Sequence, residues 1–141
     1  MHDAEYIHQL MPHAFEDWIN YHLMVGVEHF TIFDTDGSYA PYVAEYVKQG
    51  QITYYPYFPS LISEKLGHVA ADLNHSKQQR QMLVEPHAYD VCLWENRHVS
   101  EWVIRLHCFE EFAHSPYFAK TQGDLDLQAI IQFAEGEGPN V

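Results

Sequence analysis

Cationic side chains are scarce in this sequence. Seven Lys and Arg stand against 20 Asp and Glu in 141 residues, which gives a formal net charge of -13 at pH 7. Nucleic acids and anionic membrane surfaces are bound by clustered cations that neutralise phosphates. We therefore expect neither partner. A phosphate-bearing ligand would have to be held through a divalent cation or through backbone amides.

Cysteines and long apolar runs are also few. Cys92 and Cys108 are the two cysteines, and they form neither a CxxC pair nor a regular spacing. This pattern excludes a disulfide framework and a standard zinc finger. The sequence has no run of about 18 apolar residues, as a membrane-spanning helix requires. Its first ten residues do not resemble a signal peptide, so we expect any anchor or targeting segment to lie outside this chain.

Apolar and aromatic residues are abundant, at 47% and 15% of the chain. This content is enough for one hydrophobic core, and the length is too short for two, so we expect a single domain over 1–141. We expect residues 1–12 and the acidic, glycine-rich residues 136–141 to be poorly ordered. Tyr6, Ile7 and Leu10 could form a short helical turn.

Helix and strand patterns alternate along the chain. Trp18, Ile19 and Leu23 follow Phe15 at helical spacing, and the next stretch, 27–33, is rich in β-branched and aromatic residues. The expected helices cover about 13–25, Pro41 to Gly50, 82–97 and a stretch from Asp124 to Gly136, and the expected strands cover 27–33, 52–57 and 101–106. We expect a long loop over about 59–77. This order predicts an α/β fold with a parallel sheet and crossover helices.

Acidic residues follow two of the expected strands. Asp34 and Asp36 come after the first strand, and Glu110 and Glu111 after the last. Ligands of parallel sheets bind beyond the carboxyl ends of the strands, so these carboxylates could line one crevice and bind Mg²⁺ or Mn²⁺. The alternatives are ordinary turn chemistry for the first pair and a solvated charge pair for the second.

Other polar and aromatic residues have simpler interpretations. A cluster near position 110 could form a transition-metal site, although its spacing matches no standard zinc pattern. Its members are His107, Cys108, Glu110 and His114. We expect the three tryptophans to belong to the core, namely Trp18, Trp94 and Trp102. His22 and His29 are expected to hold backbone or neighbouring side chains.

Two segments resemble glycosyltransferase family 92. The first runs from Glu16 to Asp34 (EDWINYHLMVGVEHFTIFD) and shares with the family a Trp, a Tyr-His pair, a Gly-Val pair, an acid followed by His-Phe, and a closing Asp. The second runs from Tyr89 to Phe112. Its matching residues are Tyr89, Cys92, Arg97, Ser100, Trp102, Glu111 and Phe112, whereas Cys108 and Glu110 stand where the family has two Asp. The matched stretches cover about 16–58 and 82–115.

The resemblance implies a GT-A fold, a Rossmann-like α/β sandwich that is incomplete in this chain. It implies inverting transfer of a hexose, often galactose, from a uridine diphosphate donor to a glycan hydroxyl, with Mn²⁺ or Mg²⁺ as cofactor. Asp34 would lie near the nucleotide, Glu110 would replace a metal-binding Asp beside Cys108, and Glu111 would belong to the donor site. Asp36 is added on geometry alone. The general base is expected outside this chain.

Two other functions remain open. The chain could be a catalytically silent relative or fragment that binds a nucleotide sugar or a partner, because the thiol of Cys108 is a softer ligand than Mg²⁺ or Mn²⁺ prefers. It could also be a His/Cys metal-binding protein. The resemblance leaves the compartment open, since eukaryotic members work in the Golgi lumen and bacterial homologues also exist.

Overall fold

The computed structural model describes residues 3–58, 77–106, 111–113, 127, 131 and 134–136. Its helices are α1 (Ala4–Leu10), α2 (Ala14–Met24), α3 (Ala40–Lys48) and α4 (Lys77–Asn96), and its strands are β1 (Phe30–Asp34) and β2 (Ile52–Pro56). The chain divides into a first unit, Met1–Leu10 with His29–Arg105, and a second unit, Met11–Glu28 with Leu106–Val141. The expectation of a single domain stays a prediction.

The first unit contains a parallel pair of strands joined by a helix. β1 and β2 pair in register from Phe30 opposite Ile52 to Asp34 opposite Pro56, which confirms the expected parallel sheet. Alternate residues of β1 are buried, as a strand with one face on a core requires. The first strand begins later than the expected residue 27, because the Val27 N–H donates to the His22 carbonyl, 2.9 Å away, and continues the end of α2.

The connecting helix α3 forms where its local sequence predicts. Pro41 lies in its first turn, where a missing N–H costs no helical hydrogen bond. Gly50 follows the helix with φ +75°, a conformation that other residues adopt only with strain. Val43 is buried on the face that packs against β2. The helix therefore returns the chain to the start of a strand parallel to β1.

In the second unit, α2 buries one face. Phe15, Trp18, Ile19 and His22 are its buried residues, so three of the four expected apolar positions are confirmed. His22 occupies the place expected of Leu23, which is only half-buried. Gly26 ends this region with φ +102°. The burial of a histidine on this face means that its two ring nitrogens need partners.

Helix α4 is longer and more exposed than expected. It begins at Lys77 rather than near 82 and contains Pro86 within it. Leu93 and Trp94 are exposed, and Ala88 is the buried residue of its described side chains. The placement of Trp94 in the core is therefore wrong, whereas that of Trp18 is confirmed.

The strand expected over 101–106 is absent. These residues have no regular secondary structure, and Trp102, Val103 and Ile104 are exposed. Aromatic and β-branched residues favour a strand only when neighbouring strands cover them. Within the described residues the sheet has two strands, β1 and β2, so this segment has no ladder to join. The expectation that Trp102 belongs to the core is wrong for the same reason.

The coarse expectation of an α/β fold is confirmed by these helices and the parallel strand pair. The expected loop over 59–77 lies almost wholly outside the described residues, as does Asp124. Leu127, Ile131 and Ala134 are helical, and Gly136 follows with φ +79°, as expected of a helix end. Across the described part of the chain, no helix combines the length and apolar character needed to cross a membrane.

Candidate functional site

Asp34 lies at the carboxyl end of β1 and is completely buried. Its Oδ2 accepts hydrogen bonds from the Tyr39 N–H at 2.8 Å and from the Tyr54 hydroxyl at 2.5 Å. Its Oδ1 accepts from the Asp36 N–H at 3.2 Å. The carboxyl group therefore shapes the turn after β1 and ties it to β2. Any effect of Asp34 on a ligand passes through the turn that it holds.

The hydrogen bond to Asp34 fixes the position of the Tyr54 hydroxyl. Burial of the tyrosine, together with the hydrogen bond to Asp34, raises the pKa of the Tyr54 hydroxyl well above its usual value. The hydroxyl is therefore protonated at neutral pH and donates to the carboxyl group. Asp34 and Tyr54 link the carboxyl end of β1 to the middle of β2 through side chains, in addition to the ladder between the strand backbones.

Asp36 is exposed on the same turn and caps α1. Its Oδ2 accepts from the Asp3 N–H at 2.8 Å, and its Oδ1 accepts from the Ser38 N–H at 3.0 Å. The Ser38 Oγ accepts from the Ala4 N–H at 2.9 Å. Partial desolvation acts to raise the pKa of Asp36, but hydrogen bonds from the Ser38 side chain and from backbone N–H groups hold it below its usual range. Asp36 is therefore negatively charged at neutral pH.

Removal of this cap should loosen α1. We expect the double substitution Asp36→Ala with Ser38→Ala to speed amide hydrogen exchange at Ile7 about tenfold, the equivalent of about 1.4 kcal/mol, since capping residues contribute on the order of 0.5 to 2 kcal/mol. The Ile7 N–H reports on α1 because it donates to the Asp3 carbonyl. The Val25 amide at the end of α2 is the internal control. Equal protection of Ile7 in both proteins would show that the cap contributes nothing.

Tyr57 follows β2 and completes this edge of the sheet. It has φ +56° and a side chain that is 58% exposed. Its ring lies over Gly37, such that a Cβ on Gly37 would be 2.6 Å from the Tyr57 Cζ. Tyr57 was not among the site residues predicted from the sequence. Its position at the carboxyl end of a predicted strand is the signal that could have identified it.

In the second unit, α2 holds the backbone of residues 111–113. The Trp18 Nε1–H donates to the Glu111 carbonyl at 2.7 Å, and the Tyr21 hydroxyl donates to the Ala113 carbonyl at 2.9 Å. The Ala113 N–H donates to the His22 Nε2 at 3.1 Å. Three polar groups of one helix therefore restrain a segment about 90 residues away in sequence, as the separations of 91 to 93 residues show.

These contacts assign the protonation of His22. Its Nε2 accepts from Ala113, so the ring proton is on Nδ1, which donates to the Trp18 carbonyl 2.8 Å away. The Phe112 ring stacks on the imidazole at 5.7 Å between centroids. Burial lowers the pKa of His22, although the hydrogen bond to Trp18 acts to raise it. The imidazole is therefore neutral at pH 7.

The expectation for the two histidines is confirmed. His22 holds the backbone of α2 and of Ala113, as described above. His29 is exposed, and its Nδ1 lies 3.1 Å from the Gly50 carbonyl while its Nε2 lies 2.8 Å from the Thr53 Oγ1. His29 therefore links the start of β1 to the start of β2, and both histidines have structural partners.

The structure treats the four expected acidic residues differently. Asp34 and Asp36 share the turn after β1, whereas Glu111 is exposed in the second unit, and its carbonyl is the acceptor for Trp18. Glu110 and Cys108 lie outside the described residues, as do His107 and His114. The expected convergence of the acidic groups at one crevice therefore stays a prediction.

No three His, Cys, Asp or Glu residues in the described ranges are grouped closely enough to hold a metal ion. Asp34 does not fit a metal ligand, because its carboxyl group is completely buried and its two oxygens accept hydrogen bonds from three internal donors. The residue expected to hold Mn²⁺ or Mg²⁺, Glu110, lies outside these ranges. No protein family, curated protein or solved structure matches the chain.

Proposed function

We propose that this chain is part of a GT-A type glycosyltransferase that resembles family 92. The proposed reaction is the inverting transfer of a hexose such as galactose from a uridine diphosphate donor to a glycan hydroxyl. The observation that supports it best is the contact between α2 and residues 111–113. Trp18, Tyr21 and His22 belong to the first segment of the resemblance, and they hold the backbone of the second.

This contact has a chemical purpose if the segment carries the donor site. Groups that bind a metal or a diphosphate work only when their backbone is held in place by surrounding hydrogen bonds. The three bonds from α2 restrain the chain immediately after Glu110, the proposed metal ligand. Glu111 would act in the donor site with its carbonyl held by Trp18. In this proposal α2 is the support of the donor site rather than a part that touches the donor.

The turn after β1 supports the same proposal. It lies at the carboxyl end of a parallel strand, where α/β proteins bind nucleotides. Asp34 holds its shape from within, and Asp36 presents a charged carboxylate at its surface. The role proposed for Asp34 is therefore to position the turn near the nucleotide.

In this proposal a divalent cation would supply the positive charge that stabilises the diphosphate. The leaving group of a nucleotide sugar is a diphosphate, whose negative charge grows as the glycosidic bond breaks, and a bound Mn²⁺ or Mg²⁺ stabilises that charge. The chain itself has a net charge of -13, and it has few cationic side chains that could stabilise the diphosphate. Glu110 would hold the ion, with Cys108 at the neighbouring ligand position.

Calorimetric titration with uridine diphosphate tests this function. We expect binding that requires Mn²⁺ and that tightens about tenfold, or about 1.4 kcal/mol, in the double variant Cys108→Asp with Glu110→Asp, because a hard carboxylate replaces a thiol. The substitution Glu45→Asp is the control, since Glu45 is exposed on α3 and pairs with Lys48. Its affinity should equal that of the wild type.

Two results would contradict the proposal and point to the alternatives. A folded sample in which neither the wild type nor the double variant binds uridine diphosphate with Mn²⁺ would favour a partner-binding module. Tight binding of Zn²⁺ that disappears in the double variant would favour a His/Cys metal-binding protein, because the proposed cluster includes Cys108 and Glu110.

A further inference from the structure

Residues 101–105 of the first unit have the composition of a strand, but within the described residues they lie outside the sheet. The side chains at all five positions are exposed. In β1, by contrast, alternate residues are buried, as in a strand that lies on a core. A segment of high β propensity that stays exposed on the surface can pair with the backbone of another chain.

The order of side chains in this stretch is complementary to itself. It reads Glu-Trp-Val-Ile-Arg, with an anion at one end, a cation at the other and three apolar residues between them. In an antiparallel pair of two copies centred on Val103, Glu101 of each copy lies opposite Arg105 of the other. Trp102 of each copy then lies opposite Ile104 of the other. Opposite charges are favourable cross-strand pairs, and so are aromatic residues opposite β-branched ones.

Other arrangements of two copies lose these pairs. A parallel pair in register places Glu101 opposite Glu101 and Arg105 opposite Arg105, and like charges directly opposite one another are destabilising. A shift of the antiparallel register by one residue places each charge opposite a neutral side chain. The charge pattern therefore favours the register centred on Val103. This register has the two-fold symmetry of a closed dimer.

The surroundings of Arg105 are compatible with this pairing. Its guanidinium lies over the Tyr89 ring of α4, with 4.2 Å between Cζ and the ring centroid. A guanidinium stacks through its face and donates hydrogen bonds at its edge, so the stack leaves room for an ion pair with Glu101 of a second copy. Residues 97–105 contain two Arg and one Glu, whereas the whole chain has a net charge of -13. Two copies can therefore meet at this stretch without the repulsion between their acidic surfaces.

We propose that this chain forms a symmetric dimer by antiparallel pairing of residues 101–105 with the same residues of a second copy. The pairing gives this stretch a backbone ladder and covers apolar side chains that are exposed in the single chain. The strand that the sequence predicts here then forms between two chains. The inference is independent of the proposed function, because it uses no residue assigned to the donor site.

Sedimentation velocity of the whole chain tests the pairing. We expect the wild type to show a monomer–dimer equilibrium between about 1 and 100 μM. Glu101→Arg and Arg105→Glu each place like charges opposite one another, so each should weaken the dimer at least about tenfold. Lys48→Glu is the control, since Lys48 is exposed on α3 and the change in net charge equals that of Arg105→Glu. Its dimer should stay within about twofold of the wild type.

An equimolar mixture of Glu101→Arg and Arg105→Glu distinguishes pairing from damage to the fold. In a mixed dimer every charge again lies opposite its counterpart, so the mixture should recover a dimer that neither variant forms alone. A misfolded variant would not be rescued in this way. A wild type that stays monomeric over the whole concentration range would overturn the inference. So would a dimer that both single substitutions leave unchanged, or a mixture in which no dimer returns.

Discussion

Replacement of Asp34 by Ala should lower the free energy of unfolding by about 3 to 5 kcal/mol, because each donor left unsatisfied in the interior costs about 1 to 3 kcal/mol. Three donors lose their acceptor in this variant, namely the N–H groups of Asp36 and Tyr39 and the hydroxyl of Tyr54. Asp34 is completely buried, so water cannot simply replace the carboxyl group. Urea denaturation, with the midpoint and slope measured for each variant, will report the change.

One variant isolates a part of this effect, and a second variant at an exposed position is the control. Tyr54→Phe removes the whole hydroxyl group and so leaves no unsatisfied donor behind. We therefore expect the free energy of unfolding to fall by about 1 kcal/mol. Glu45→Ala removes an exposed ion pair with Lys48 and should cost less than about 0.5 kcal/mol. A loss below about 1 kcal/mol in Asp34→Ala would contradict the structural role of the carboxyl group.

The second large effect concerns His22, whose stability contribution should depend on pH. Burial lowers the pKa of His22 in the folded protein below its value of 6.5 in an unfolded chain. Below about pH 6.5 the unfolded state therefore binds more protons than the folded state, so stability falls as the pH is lowered. Above that pH the imidazole is neutral in both states, and the contribution is constant. Protonation of Nε2 would also remove the acceptor for the Ala113 N–H.

His22→Phe is the variant that isolates this contribution. It fills the same space with a ring that does not titrate, so the fall in unfolding free energy between pH 7.5 and 5.5 should be smaller than in the wild type. At pH 7.5 we expect His22→Ala to lose about 3 to 5 kcal/mol, since it leaves a cavity in place of a ring and an unpaired N–H. His8→Gln is the control, because His8 is exposed on α1. Identical pH profiles for His22→Phe and the wild type would contradict the assignment of a neutral, buried imidazole.

Local sequence patterns predicted the helices whose boundaries are set by residues close to them in the sequence. The helical spacing of Phe15, Trp18 and Ile19 gave α2, and Pro41 with Gly50 delimited α3. Such signals arise from backbone dihedrals and from a periodic apolar face, and both act over a few residues. The failed strand over 101–106 shows the opposite case, because its apolar residues needed a neighbouring strand that the described residues do not provide.

The sequence predicted the position of the candidate site, but it did not predict the roles of the residues in it. Its turn composition marked Asp34 and Asp36 as residues at a strand end, and the structure confirms that location. The role of Asp34 as a buried acceptor depends on Tyr54, which lies 20 residues further along the chain. The cap on α1 depends on a contact over 33 residues. No local pattern reveals either partner, since both contacts form only when separate elements pack together.

Charge, composition and short-range periodicity were thus sufficient to establish an acidic α/β chain with a parallel strand pair and an acidic turn at its edge. Folding alone assigned the partners of that turn, the neutral tautomer of His22 and the ring of Tyr57 over Gly37. The difference has a physical cause. Dihedral preferences and apolar spacing are properties of adjacent residues, whereas burial and hydrogen-bond partners are properties of residues that meet only in three dimensions.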